Sequence, residues 1–343
     1  DDNEAGDSKL INNAKFGSHA HAEGCYNFIQ GYGSHGEGNN NFIVNTLSGG
    51  GIDYYSEGGW SHIEGYGNYI KGVWSHAEGS NNEITDYTKY SHVEGVSNTI
   101  IYSNYAHIEG GYNSVYNSYG AHIEGYKNSI SYGFQVSGLT LSYNHSEGAY
   151  NTIHYSAFSH IEGGSNSILN SIYGHAEGAG NTIGGTFVYT TGSHVEGFKN
   201  TVLGNYAHAE GSGSVARGNF SHAAGIGTIA SGSGQNVVGA YNTIYTASND
   251  LFIIGNGSSI NNRDTLARFN KTFTVLSQSV YMPNLTASVQ NYVIGWDIND
   301  GGKLYVQPVG TATGSVIVYQ TSSVVNASTT KFNFTGSGVT VTL

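Results

Sequence analysis

The sequence predicts an all-β fold: a parallel β-solenoid, or β-roll, of about 14-residue coils. Three observations lead there. A His-x-Glu-Gly motif recurs twelve times, with its His at 21, 35, 62, 76, 92, 107, 122, 145, 160, 175, 194 and 208, mostly 14 to 16 residues apart. Gly accounts for 51 of the 343 residues, against 2 Pro and 10% charged residues. The unit is too short for a helix pair, and Gly beside β-branched residues opposes helix in any case. It has room for two short strands and their turns. One such coil cannot bury a core, but stacked coils can, each pairing with its neighbours at about 4.8 Å. Thirteen coils would make a rod of roughly 60 Å at that spacing.

The elements follow in chain order. Residues 1–16 read as a lead-in and 17–247 as the repeat region. A thirteenth copy, His222-Ala223-Ala224-Gly225, has lost its Glu, and Tyr55-Ser56-Glu57-Gly58 has lost its His. Four residues after the Glu stands an Asn in eleven of the twelve copies, and two residues later Ile or Val, as in Glu64, Asn68 and Ile70. Residues i and i+2 of a strand share a face. The small or β-branched residue between His and Glu (Ala22, Ile63, Val93, Ile108) therefore points inward, and His and Glu point outward. The Asn reads as a turn residue that accepts left-handed backbone and bonds to the Asn of the next coil. Two residues before the His, an aromatic recurs in nine copies: Trp60, Trp74, Tyr90, Tyr105, Tyr143, Phe158, Tyr173, Tyr206 and Phe220. By alternation it belongs to the same outward face, which makes an aromatic–His–Glu stripe.

The spacing opens between His35 and His62, His76 and His92, His122 and His145, and His175 and His194. The larger additions are Thr46–Gly59, Ser131–Tyr143 and Gly184–Gly192, all between the Ile strand and the next His strand. Insertions on one side of a solenoid often form its binding face. Residues 248–285 read as a connector or neck carrying Arg263, Arg268 and Lys271. Residues 286–343 read as a small C-terminal β-domain or trimer tip. Its strands are expected at Tyr292–Trp296, Lys303–Val309, Ser315–Tyr319 and Lys331–Leu343, with a hairpin turn at Asp300-Gly301-Gly302.

Composition removes other classes. Gly without a three-residue period excludes collagen, and 13% aromatic residues oppose disorder. No apolar run is long enough to span a membrane as a helix. Twelve Lys+Arg, scattered, against 24 Asp+Glu leave a net charge of −12 and oppose nucleic-acid binding. With all 15 His protonated the charge would be −12 + 15 = +3. The single Cys25 excludes an intrachain disulfide framework. The chain opens on Asp with no signal-peptide pattern, as expected of a processed piece or fragment.

Repeats such as Ser75-His76-Ala77-Glu78-Gly79 and Ser91-His92-Val93-Glu94-Gly95 resemble the YadA-like heads of trimeric autotransporter adhesins. They are more similar still to the SHAEG repeats of phage tail fibres and appendages. The resemblance covers about residues 17 to 247. It implies a left-handed parallel β-roll assembled as a homotrimer, on a virion or other extracellular surface. The partners it implies are further copies of the chain, other virion or appendage proteins, and a bacterial surface glycan or protein receptor. A bacterial adhesin head on a cell surface is the first alternative, and a glycan depolymerase the second.

No nucleophile elbow, catalytic triad order or phosphate loop stands out, so no catalytic residue, cofactor or metal ligand is assigned and the chain is read as a non-enzyme. His-x-Glu on one strand is also a metal-ligand pair. Its repetition in nearly every coil instead assigns His62, Glu64, His76, Glu78, His92, Glu94, His107, Glu109, His122, Glu124, His160 and Glu162 to a structural ladder. Tyr54, Tyr55, Phe134, Phe187 and Tyr189, in the insertions, are the candidate receptor contacts. If the ladder His donate to Glu, their pKa should lie above about 6.5, with greatest resistance to melting between roughly pH 4.5 and 6.5. Neutral His buried in a dry interface would reverse the upper limit.

Overall fold

The 15-residue coils turn on three residues with left-handed backbone and the 14-residue coils, such as 62–75 and 194–207, on two, and most of these residues are not glycine. In the coil 92–106 they are Ser97, Tyr102 and Tyr105 (φ 55°, 51° and 56°), and in the coil 145–159 Tyr150, Tyr155 and Phe158 (φ 59°, 47° and 53°). The computed structural model describes residues 19–30, 32–44, 59–85, 87–136, 139–186, 188–245 and 250–270. It also describes the strand segments Tyr292–Asp297, Lys303–Pro308, Val318–Gln320 and Ser323–Val325. The chain divides into two compact units, 1–276 and 277–343.

The first unit is a parallel β-solenoid of two facing sheets. One sheet has 16 strands, the first 14 of them running from His21–Cys25 to Asn236–Ala240. The other has 13, from Phe28–Ile29 to Ile229–Ala230. Register is set by identity, with His107 beside His122, Ile108 beside Ile123, Glu109 beside Glu124 and Gly110 beside Gly125. Between the sheets lie two columns of buried side chains. Ile63, Ala77, Val93, Ile108 and Ile123 come from the His strands, and Ile70, Ile84, Ile100, Val115 and Ile130 from the facing strands. Each fully buried Ile or Val is worth about 1.5–3 kcal/mol, so the inward alternation expected of the sequence is where the core resides.

The Asn column differs from expectation in one respect. The left-handed residue is the one before the Asn, such as Asn81, Ser97, Tyr112 or Lys127. The Asn itself turns inward. Asn113 is 1% exposed. Its Nδ2 donates to the carbonyls of Glu109 (3.1 Å) and Gly125 (2.8 Å), while its Oδ1 accepts from the backbone N–H of Asn128 (2.9 Å). The corner leaves backbone groups that no strand partner can reach, and a buried amide supplies both donor and acceptor there.

The aromatic stripe is also displaced from its expected place. Each His strand begins at the His, so strand alternation does not reach two residues back. That position is the third corner. All nine aromatic residues there have φ between 46° and 59°, and where the aromatic is missing, Gly33, Gly120, Gly192 and Gly234 take the same conformation. A left-handed non-Gly residue costs roughly 1–2 kcal/mol. Stacking from coil to coil offsets it: Trp74, Tyr90 and Tyr105 follow one another at 4.9 and 5.0 Å between ring centroids. Such pairs contribute about 0.5–1.5 kcal/mol beyond area.

The sheet extends past the last recognisable motif. Asn236–Ala240 pairs with His222–Ile226, and Asp250–Asn256 pairs parallel with Asn236–Ala240, beyond the expected end of the repeats at 247. Thr265–Asn270 then pairs antiparallel with Asp250–Asn256 and covers that sheet edge. The charges of the expected connector serve this closure. Arg268 lies 3.4 Å from the buried Asp250, and Arg263 donates to the carbonyl of Gly227 at 2.8 Å. Lys271 lies outside the described residues.

In the second unit Tyr292–Asp297 and Lys303–Pro308 form an antiparallel pair bracketing the expected Asp300-Gly301-Gly302 turn. Val318–Gln320, overlapping the expected third strand, pairs with Ser323–Val325. The expected strand at Lys331–Leu343 lies outside the described residues.

Candidate functional site

The His strands lie in register, so their outward imidazoles form one column. Thirteen rings from His21 to His222 follow one another with centroid separations from 4.6 to 5.1 Å, and all pairs but the first lie nearly parallel. The structure thus brings together every ladder residue expected from the sequence: His62, His76, His92, His107, His122 and His160 in one column, and Glu64, Glu78, Glu94, Glu109, Glu124 and Glu162 in the column beside it. The rings are half-buried and most of the Glu side chains exposed.

His–Glu contact is nevertheless sparse. Close approaches occur at His107–Glu109 and His122–Glu124, both 3.1 Å, at His222–Glu210, 3.2 Å, and at His208–Glu196, 3.7 Å. The Nε2 atoms of His35, His62, His76, His92, His107, His122, His145, His160, His194 and His208 are enclosed and make no hydrogen bond of proper geometry. Stacking dominates this column, and it has an electrostatic consequence. Burial pushes the pKa of His35, His92, His145, His160, His194 and His208 down, and the neighbouring imidazoles push it further the same way. His76 falls furthest, to about 4. The Glu carboxylates act in the opposite direction and are outweighed.

This corrects the expected pH dependence. A His whose folded pKa is depressed stays neutral in the fold while the unfolded chain takes up a proton below about 6.5. Its contribution is complete above that value and is lost as pH falls through the folded one. The seven depressed His all act in this one direction, so their effects reinforce one another. Thermal melts in EDTA should show a midpoint higher at pH 8 than at pH 5, with the fall beginning near pH 6.5. A midpoint higher at pH 6 than at pH 8 would restore the charged ladder.

Of the candidate receptor residues, Tyr189 is exposed at 68%. Phe134 begins the strand Phe134–Val136, which pairs antiparallel with Leu139–Leu141, so the Ser131–Tyr143 insertion is a small hairpin. Tyr54, Tyr55 and Phe187 lie outside the described residues. Two further aromatic columns escaped the sequence reading. Tyr87, Tyr102, Tyr116, Tyr132 and Tyr155 follow one another where the Ile strand ends, two pairs stacked and two edge to face, with centroids 5.1 to 5.9 Å apart. Tyr112, Tyr126 and Tyr150 meet edge to face at the end of the His strand at 5.5 and 5.8 Å, with Lys127 over the last two rings. Recurrence of Tyr at the coil period was the signal. It is masked because Asn, Ser, Lys and Gly share the corner positions.

No family model matches the chain, and no curated protein matches it.

Proposed function

We propose that the chain is a non-enzymatic fibre or appendage protein of a bacteriophage that assembles as a homotrimer and attaches to a bacterial surface. The observation that carries this reading is the run of exposed aromatic columns along consecutive coils. Trp60, Tyr105, Tyr143, Tyr173, Tyr206 and Phe220 are each at least half exposed at one corner alone. Continuous apolar strips of this kind are normally covered by a partner. Further copies of the chain fit best, because a strip repeating at the coil pitch is matched in period by another solenoid of the same pitch.

The uninterrupted coils are nearly identical and carry little distinguishing information. The insertions differ from one another, and they emerge from the segment joining the Ile strand to the next His strand. They are the natural place for a receptor contact, with a glycan stacking on Tyr or Phe or a protein loop docking beside it.

The test is adsorption of the purified full chain to bacterial cells, with its mass measured in the same preparation. A trimer that binds, and that loses binding when Ser131–Tyr143 and Thr46–Gly59 are trimmed to the basic coil length, is expected. A monodisperse monomer at micromolar concentration overturns the assembly. Unchanged binding after trimming moves the receptor site to residues 286–343. Sustained release of reducing ends from capsular polysaccharide would make the protein a depolymerase, and binding to animal-cell matrix in place of bacteria an adhesin head.

A further inference from the structure

We propose that His122, Glu124 and His145 form a site for one divalent transition-metal ion of the zinc class, which clamps together the two coils flanking the Ser131–Tyr143 hairpin. Three observations support the site. The first is spacing. Nε2 of His122 stands 3.1 Å from Oε1 of Glu124. Two ligand atoms each about 2.1 Å from a shared ion lie roughly 3.0 to 3.4 Å apart in octahedral or tetrahedral geometry. The His145 ring lies over that of His122 at 4.6 Å, tilted by 6°, and the three ligand atoms all fall within 4.8 Å of one another. A modest tilt of the His145 ring toward Glu124 completes a three-ligand set, leaving further positions to water.

The second is unmet bonding. Nε2 of both His122 and His145 is enclosed without a hydrogen-bond partner, and the Glu124 oxygen, though near, is not in line with the ring nitrogen. An enclosed polar atom without a partner costs free energy that an ion on its lone pair would recover. Among the described residues three other groups come equally close: His175 with Glu177 and His194, Glu23 with His35 and Glu37, and Glu196 with His208 and Glu210. Only the His122 group has two imidazoles with both Nε2 atoms enclosed and unpartnered.

The third is where the site falls. His122 and His145 are adjacent in the sheet but 23 residues apart in sequence, with the hairpin emerging between them. The core position next to His145 is Ser146, where the two adjacent coils have Ile123 and Ile161. Its hydroxyl is enclosed and unpartnered. This junction has the longest connection among the described coils, and a Ser in place of Ile in its core column. A metal clamp would therefore contribute most there.

Untagged, EDTA-stripped full-length chain titrated with Co²⁺ at pH 7.5 should develop a ligand-field absorption band. Zn²⁺ should displace the Co²⁺ and raise the melting midpoint in a concentration-dependent way. The double variant Glu124→Gln/His145→Asn should lose one bound equivalent. His92→Asn/Glu94→Gln, which alters the same ladder where no such group forms, should lose none. If the double variant does not fold by circular dichroism, Glu124→Gln alone, which keeps both rings, reads the same loss. Absence of a Co²⁺ band and of a Zn²⁺-dependent melting shift in the unmodified chain overturns the site. So does full retention of bound ion in the double variant, or an equal loss in the His92/Glu94 control.

Discussion

Replacing Gly125 with Ala is expected to destabilise the solenoid by about 3 kcal/mol or more. Gly125 sits inside a His strand at φ 117°, a region that side-chain-bearing residues scarcely enter, so the substitution is strained before any contact is counted. A Cβ there would also run into the backbone carbonyl oxygen of Gly148 in the next coil. That backbone cannot withdraw, because it is paired with Gly125 on one side and Gly163 on the other. The same collision recurs along the column, at Gly65 against Gly79, Gly95 against Gly110 and Gly163 against Gly178. Gly234 is the control. It has φ 68° but nothing within 4 Å of an added Cβ, so Gly234→Asn should cost no more than about 1 kcal/mol. Coils couple chiefly to their neighbours, so hydrogen exchange should show opening centred on coils 107–160 in Gly125→Ala. Equal melting midpoints for the two variants would remove the close-approach argument.

Asn113→Ala is expected to cost up to about 3 kcal/mol, since it removes three hydrogen bonds to backbone groups, one buried and two part-buried, at roughly 1 kcal/mol each. Those groups are the carbonyls of Glu109 and Gly125 and the N–H of Asn128. Asn113→Asp separates shape from donor capacity. It keeps the acceptor for Asn128 but turns an oxygen toward two carbonyls, and should be no better tolerated than Ala. The protein itself shows an intermediate case. At Ser214, where Ser stands in place of the Asn, the hydroxyl donates to the Gly225 carbonyl at 3.2 Å and replaces one of the amide's bonds. Asn113→Ser should therefore cost less than Asn113→Ala in urea or thermal melts. An Asp variant as stable as the parent would show that the side-chain donor is not what holds the corner.

Much of this arrangement was legible in the sequence. The strict recurrence of His, Glu, Gly, Asn and Ile specifies two strands per coil, their inward faces and the register that puts Glu109 beside Glu124. The Gly column was a longer-lived signal than the His motif. Gly239 and Gly255 continue it through Asn236–Ala240 and Asp250–Asn256, after His and Glu have both gone. Strand alternation failed at the corners, since it holds only where backbone is extended. It therefore misplaced the aromatic residue two before the His and shifted the left-handed residue onto the Asn. The recurring choice of aromatic or Gly at one position, as at Tyr105 and Gly120, was the available clue.

By itself, then, the sequence determined that this chain coils, how long each coil is, and which residues stack on their own kind. These follow from a period that every coil repeats and that backbone pairing converts directly into register. Only the tertiary structure decided the depressed pKa of seven His in the column, the corner conformations and the closure of the sheet by Thr265–Asn270. The pKa of His76 depends on how far its ring is desolvated between His62 and His92 in the coils on either side. Desolvation is a property of neighbours in space, and the identities of His and Glu along one strand do not contain it.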